Sequence, residues 1–373
     1  MQYVLTEEQN AFREMIHRFL EVHSSSSRIR SASLTELGWD RDVWQQLCAE
    51  FEVPATCVPE AYGGHGFGLT ELAILAEEMG RALYCGPFFG STVLASLVIS
   101  NGATDEMKKL LLPELVKGNK LAALAIAETC DRWRAADVTM VATDDGDHWR
   151  LNGEKLFVVD GLGADFLIVI ARCAAKGEIG IFKVSSRDQS LSRLEMQGID
   201  RTRRMSRVRF NNTQATKISR AGDVGDLVDD ALDQATICLC AEMVGGAERL
   251  LESAIEYSKV RFQFGRPIGS FQALKHRAAD LFVDIELAKA AARCAATAVD
   301  DGDENISELA SIAKAAASEA YMSAALETVQ FYGGIGFTWE NDTHLWFRRA
   351  KSSEVFLGTA DWHRERFIKQ IAA

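Results

Sequence analysis

Tyr257-Ser-Lys-Val-Arg261-Phe-Gln-Phe264-Gly265-Arg-Pro267-Ile268-Gly-Ser-Phe271-Gln272 interrupts two long runs of helical character. Taken alone, Arg261 reads as a member of a surface ion pair; a loop between two helices that carries it close to a glycine can also offer a fixed cation and free backbone N–H groups to a pyrophosphate. A guanidinium grips that group better than an ammonium does. The flanking stretches, Asp226 to Phe262 and Ser270 to Asp301, are rich in Ala, Leu and Glu, as is a third from Ser307 to Phe331. Helices of that length pack as a bundle.

Upstream the character changes twice. Between Leu121 and Ile218, Asp144-Asp145-Gly146 and Asn152-Gly153 punctuate β-rich runs such as Phe157 to Val159 and Phe166 to Ala171. Asp-Gly or Asn-Gly between apolar runs is a strong hairpin signal, so the middle reads as a small antiparallel, β-barrel-like unit. From the N-terminus to about Gly118 the spacing is helical again: Trp44 and Leu47, then Leu72, Leu75, Ala76 and Met79, then Met107, Leu110 and Leu111. Thr6-Glu7-Glu8-Gln9 is a capping box that leads into Phe12, Met15, Ile16, Phe19 and Leu20. The expected architecture is α+β: a helical domain over 1–120, a β domain over 121–221 and a helical bundle over 222–373.

A net charge of −12 argues against a nucleic-acid surface. The one basic run, Arg201, Arg203, Arg204, Arg207 and Arg209 with Val208 and Phe210 interleaved, reads as the solvated face of a strand. No apolar run approaches the roughly 20 residues of a membrane span. The N-terminus reads as a folded helix, not a signal peptide. Eight scattered cysteines, without a Cys-x-x-Cys pair, read as reduced core thiols of a cytoplasmic protein with no metal site.

Three motifs carry a resemblance. The Tyr257–Gln272 segment with His276 and Ala279-Asp280, the turn Gln330-Phe-Tyr-Gly333-Gly334-Ile-Gly336-Phe-Thr338-Trp339-Glu340, and Pro59-Glu60-Ala-Tyr62-Gly63-Gly64 resemble signatures of the acyl-CoA dehydrogenases, in the family's order and across nearly the whole chain. The resemblance implies a tetrameric FAD enzyme that desaturates an acyl-CoA thioester and passes electrons to an electron-transfer protein. It also implies that Arg261, Phe264, Gln272, Gln330, Gly333 and Gly334 reach across a subunit interface to the neighbour's FAD.

The same resemblance exposes what this chain lacks. The reaction needs a carboxylate to take the α-proton, and the family's two positions for it are Leu357 and Ala235 here. The substrate-side arginine that follows the second position is Thr236. The family's Thr-Glu-Pro and Gly-Ser-Asp loop reads Ala127-Glu-Thr-Cys-Asp-Arg-Trp133, and its flavin-covering Trp-Ile-Thr reads Phe157-Val158-Val159. Val159 cannot donate a hydrogen bond, and Phe157-Val158-Val159 reads as ordinary strand core. Contacts lent to a neighbour are kept while those for home chemistry are lost. The expectation is therefore a non-catalytic subunit, similar to those of bacterial heteromeric dehydrogenases of steroid side-chain CoA thioesters, paired with a paralogous subunit. The alternatives are an active homo-oligomer that uses Glu354 or Asp233 as base, and a member without dehydrogenase chemistry, such as a desulfinase or a scaffold.

Overall fold

The computed structural model describes residues 5–129 and 132–372. The N-terminal third forms α1 (Glu7–His23), α2 (Ser26–Leu34), α3 (Arg41–Phe51), α4 (Leu69–Arg81), α5 (Ser96–Gly102) and α6 (Asp105–Val116). The capping box at Thr6 is present: the Gln9 N–H donates to Thr6 Oγ1 at 3.1 Å, and the Thr6 N–H to Gln9 Oε1 at 3.0 Å. It fixes the start of α1 so that Ile16, Phe19 and Leu20 face inward.

Seven strands follow: β1 (Ala122–Ala125), β2 (Val141–Asp144), β3 (Trp149–Val159), β4 (Phe166–Cys173), β5 (Ile179–Ser185), β6 (Leu191–Glu195) and β7 (Met205–Lys217). The pairings β4-β2-β3-β7-β5 return from β5 to β4, so five strands close into a ring. Closure removes the edges that an open sheet would expose. Its interior is filled by Leu151, Leu167, Val169, Phe182, Val184 and Val208. The expected antiparallel character holds for most pairings, but β1–β4 and β2–β4 run parallel. Neighbouring turns in the sequence mark only the antiparallel pairs.

Two local readings change. Asp145-Gly146 does turn β2 into β3, whereas Asn152-Gly153 lies inside β3. Gly153, at φ +133°, forms a bulge against β7, and Asn152 Oδ1 accepts from the Asn212 N–H at 2.7 Å. The basic run is not a solvated face throughout. Arg203 and Arg204 are buried ahead of β7: Arg203 lies over the Phe89 ring at 5.0 Å, and Arg204 donates to the Ser33 and Thr35 carbonyls at 2.9 and 3.0 Å. Long cationic side chains can cover apolar surface and cap carbonyls at once, which spacing does not reveal.

The last part is helical: α7 (Gly225–Val260), α8 (Gln272–Asp300), α9 (Ile306–Tyr332), α10 (Thr343–Val355) and α11 (Ala360–Ile371). Small residues at helical spacing on α9, Ala310, Ala313, Ala317, Ala320 and Ala324, are buried and allow close helix contact. By internal contacts the chain forms two compact units. One holds the residues up to Ser31, Leu69–Tyr84 and the chain from Thr236 onward; the other holds Ala32–Gly68 and Cys85–Ala235. Among the described residues no helix is long and apolar enough to cross a membrane, and no cluster of ligating side chains could hold a metal.

Candidate functional site

The helical unit brings two signature segments to one end. Tyr257 near the end of α7 stacks on Tyr332 at the end of α9, with ring centroids 4.2 Å apart, and Tyr332 Oη lies 2.7 Å from Ser253 Oγ. The segment after Val260 and the turn after Tyr332 therefore leave adjacent helix ends.

The first segment is a miniature hairpin. Phe262-Gln263 pairs with Arg266-Pro267, and the Ile268 N–H closes onto Arg261 O at 2.8 Å. The two residues at its tip, Phe264 and Gly265, have φ +53° and +79°. A two-residue hairpin turn with positive φ at both positions is compact and rigid. Arg266 lies 4.0 Å above the Phe271 ring, against which Phe264 packs edge-on. Phe264 is nevertheless 90% exposed. The Arg261, Gln272 and Gln330 side chains are exposed and make no hydrogen bond or ion pair among the described residues.

The second segment is the short 3-10 helix Gly333–Phe337. Gly333 has φ +62°, which favours glycine, but a Cβ at Gly334 would meet nothing among the described residues within 4 Å. Internal packing gives no reason for glycine at 334, and the bare backbone leaves room for close approach from outside the chain. Phe337, 82% exposed, and Trp339 stand beside this turn. A guanidinium without a partner, two amides, an open glycine backbone and an apolar rim are a donor set that fits the pyrophosphate and apolar edges of a dinucleotide such as FAD.

The two positions where the resemblance puts a catalytic carboxylate are apolar and buried: Leu357 is 4% exposed and Ala235 fully buried, with Thr236 next to it in sequence on α7. Leu357 has φ +58°, and Gly358 follows at +110°. This strained turn is held from two sides. Lys314 Nζ, fully buried on α9, donates to Glu354 O at 3.1 Å, Gly358 O at 2.9 Å and Ser318 Oγ at 3.0 Å. His363 Nε2 lies 3.0 Å from Leu357 O.

Both substitute carboxylates are ion-paired within the chain. Asp233 gives both oxygens to Arg134, at 3.0 and 3.1 Å. Glu354 is paired with Lys351 at 2.5 Å.

Within the β-containing unit, the two segments matching the family's home flavin contacts are neighbours, since the Leu156 N–H donates to Ala127 O at 2.8 Å. Their polar groups are committed internally. Glu128 accepts from the Met140 and Thr139 N–H groups, from the Thr139 hydroxyl, and from Lys155 Nζ at 2.7 Å. Burial pushes the Lys155 ammonium down to about 8 although Glu128 counteracts it. Burial also raises the Glu128 carboxyl, but Lys155 and the Thr139 and Met140 donors outweigh it and leave the group below its ordinary value. Val158 and Val159 are strand core, as expected. Phe157 is not: it sits in a β-bulge at φ +55°, half-buried, with its ring 5.9 Å from the chain's own Trp133. Cys130 and Asp131 of the loop lie outside the described residues.

Residues 6–119 match the acyl-CoA dehydrogenase N-terminal domain and residues 226–372 its C-terminal domain. The chain belongs to the acyl-CoA dehydrogenase family, whose members are FAD-dependent oxidoreductases. It is 36% identical to the acyl-CoA dehydrogenase IpdE2 of Mycobacterium tuberculosis (strain ATCC 25618 / H37Rv) over 351 residues, covering 94% of this chain and 93% of that protein. Among solved structures it is similar to the Tcur3481–Tcur3483 steroid acyl-CoA dehydrogenase, with TM-score 0.87, 29% identity and 98% of both chains covered. It is also similar to the ChsE4–ChsE5 complex from Mycobacterium tuberculosis, with TM-score 0.89, 25% identity, and coverage of 100% of this chain and 99% of that one.

Proposed function

We propose that this chain is the non-catalytic subunit of a heteromeric acyl-CoA dehydrogenase and acts by completing the FAD site of a paralogous partner. One observation carries the reading: the Arg261 hairpin and the Gly333-Gly334 turn point their unengaged polar groups and bare backbone away from their own chain. Arg261 would grip the pyrophosphate of the partner's FAD, and Gln272 and Gln330 would add neutral hydrogen bonds. Gly333 and Gly334 would admit the dinucleotide against the backbone, and Phe264 would wedge beside it. Bound FAD supplies the acceptor for the β-hydrogen as hydride. The carboxylate that takes the α-proton belongs to the partner, because Leu357 and Ala235 have no proton to exchange.

The substrate class follows from similarity: a protein 29% identical to this chain over almost its whole length is a steroid acyl-CoA dehydrogenase, so an acyl-CoA thioester on a steroid-derived skeleton is the proposed substrate. Domain boundaries near residues 120 and 222, a cytoplasmic setting and an electron-transfer protein as acceptor belong to the same proposal. No observation favours a relocated base, with Asp233 clamped by Arg134 and Glu354 paired with Lys351.

Flavin stoichiometry tests the reading. Purified alone, the chain should hold FAD weakly or not at all; co-expressed with its partner it should yield fewer flavins than subunits, together with turnover. Stoichiometric, tightly held flavin in a homo-oligomer of this chain would refute it.

A further inference from the structure

The turn that carries Gly333 and Gly334 runs on through Thr338, whose N–H bonds Ile335 O at 3.0 Å, into Trp339–Asp342. That stretch is fastened from the opposite end of the sequence. Arg30, on α2, donates through Nε and Nη2 to Asp342 Oδ1 at 2.9 and 2.7 Å, and through Nη2 to Trp339 O at 2.7 Å and Asn341 O at 3.3 Å. On its other side Trp339 is bracketed by Arg348, 4.9 Å from its ring, and by the edge-on ring of His344 at 4.7 Å. Little apolar burial fixes this segment, since Phe337 and Trp339 are mostly exposed. A polar clamp on main-chain carbonyls therefore sets its path.

We infer that Arg30 is a positioning residue for the shared flavin site: it holds Trp339–Asp342 so that the Gly333-Gly334 backbone is presented at the right place to the partner's dinucleotide. The inference rests on the reading above that this turn serves the partner's FAD. In this role Arg30 acts through the Trp339–Asp342 segment. Lysine cannot replace it, because a single ammonium does not reproduce a planar fork that spans a carboxylate and two carbonyls.

The test uses the co-expressed complex with Arg30→Lys, Arg30→Ala, Asp342→Asn and, as reference, Arg261→Ala. FAD affinity is read by flavin fluorescence titration of the assembled complex, and kcat at saturating FAD is measured beside it. Arg30→Lys and Asp342→Asn should each weaken FAD binding about tenfold, the worth of one charge-assisted hydrogen bond. At saturating FAD, kcat should stay within about twofold, since the catalytic carboxylate is untouched. A merely structural arginine would lower melting temperature or assembly and leave the FAD affinity of assembled complex unchanged. If Arg30→Ala does not assemble, Asp342→Asn, which keeps size and shape, decides. Wild-type FAD affinity in Arg30→Lys and Asp342→Asn, with Arg261→Ala defective, overturns the role of Arg30 and leaves the shared site standing. Wild-type affinity in Arg261→Ala as well overturns both.

Discussion

Replacing Lys314 by methionine removes the central support of the Leu357-Gly358 turn while keeping the volume of the side chain. Its ammonium gives hydrogen bonds to Glu354 O, Gly358 O and Ser318 Oγ. Bonds to a charged group contribute roughly 1.5–3 kcal/mol each, so three amount to about 4.5–9 kcal/mol gross. Against this stands the several kcal/mol that burying an ammonium costs, which methionine no longer incurs. Two carbonyls are left short of a donor beside a leucine already held at φ +58°. The net loss should be about 2–4 kcal/mol, read as a lowered urea midpoint by far-UV circular dichroism on the isolated chain. If the catalytic carboxylate belongs to the partner, as proposed, the assembled complex should keep its turnover. A stability change below about 0.5 kcal/mol would show that the buried lysine contributes nothing net, and the account of the turn would fall.

Leu357→Glu should not by itself create an autonomous enzyme. On the proposed reading Thr236, Val159 and a Glu128 bonded to Lys155 would leave reactants unpositioned, and lost orientation costs of order 100-fold or more; turnover of the lone variant near that of the complex would contradict this. Glu128 lies below its ordinary carboxyl value, so its contribution to stability is present above about pH 4.5 and is lost as pH falls through the folded value. Wild type and Glu128→Gln should accordingly differ in unfolding free energy at pH 7 and converge as the pH falls through the folded value of Glu128, and a gap independent of pH would refute the assignment.

Much of this was legible in the residues. Thr6 and Gln9 announced the start of α1, and the three long helices of the last part fall within two residues of their expected ends. The Arg261 and Gly333 segments could be singled out because they resemble family signatures; alone, Arg261 reads as a member of a surface ion pair and the glycines as a helix C-cap. What escaped is long-range. Arg30 and Asp342 lie 312 positions apart, and neither sits in a motif. The parallel pairings of β4, the burial of Arg203 and Arg204, and the bulge that lifts Phe157 toward Trp133 depend on which strands and loops meet, and alternation along one strand carries no record of that. The two compact units, each built from separated pieces of chain, are hidden for the same reason.

The most direct measurement is the flavin content and activity of the co-purified complex carrying Arg261→Ala, with Leu357→Ala as its counterpart. A desolvated guanidinium on a pyrophosphate contributes charge-assisted bonds of roughly 1.5–3 kcal/mol each, so FAD binding should weaken by about one to two orders of magnitude. Leu357→Ala should leave turnover of the assembled complex nearly unchanged. A fully flavinylated, fully active Arg261→Ala complex, or an assembled Leu357→Ala complex without activity, would contradict the claim that this chain serves its partner's flavin.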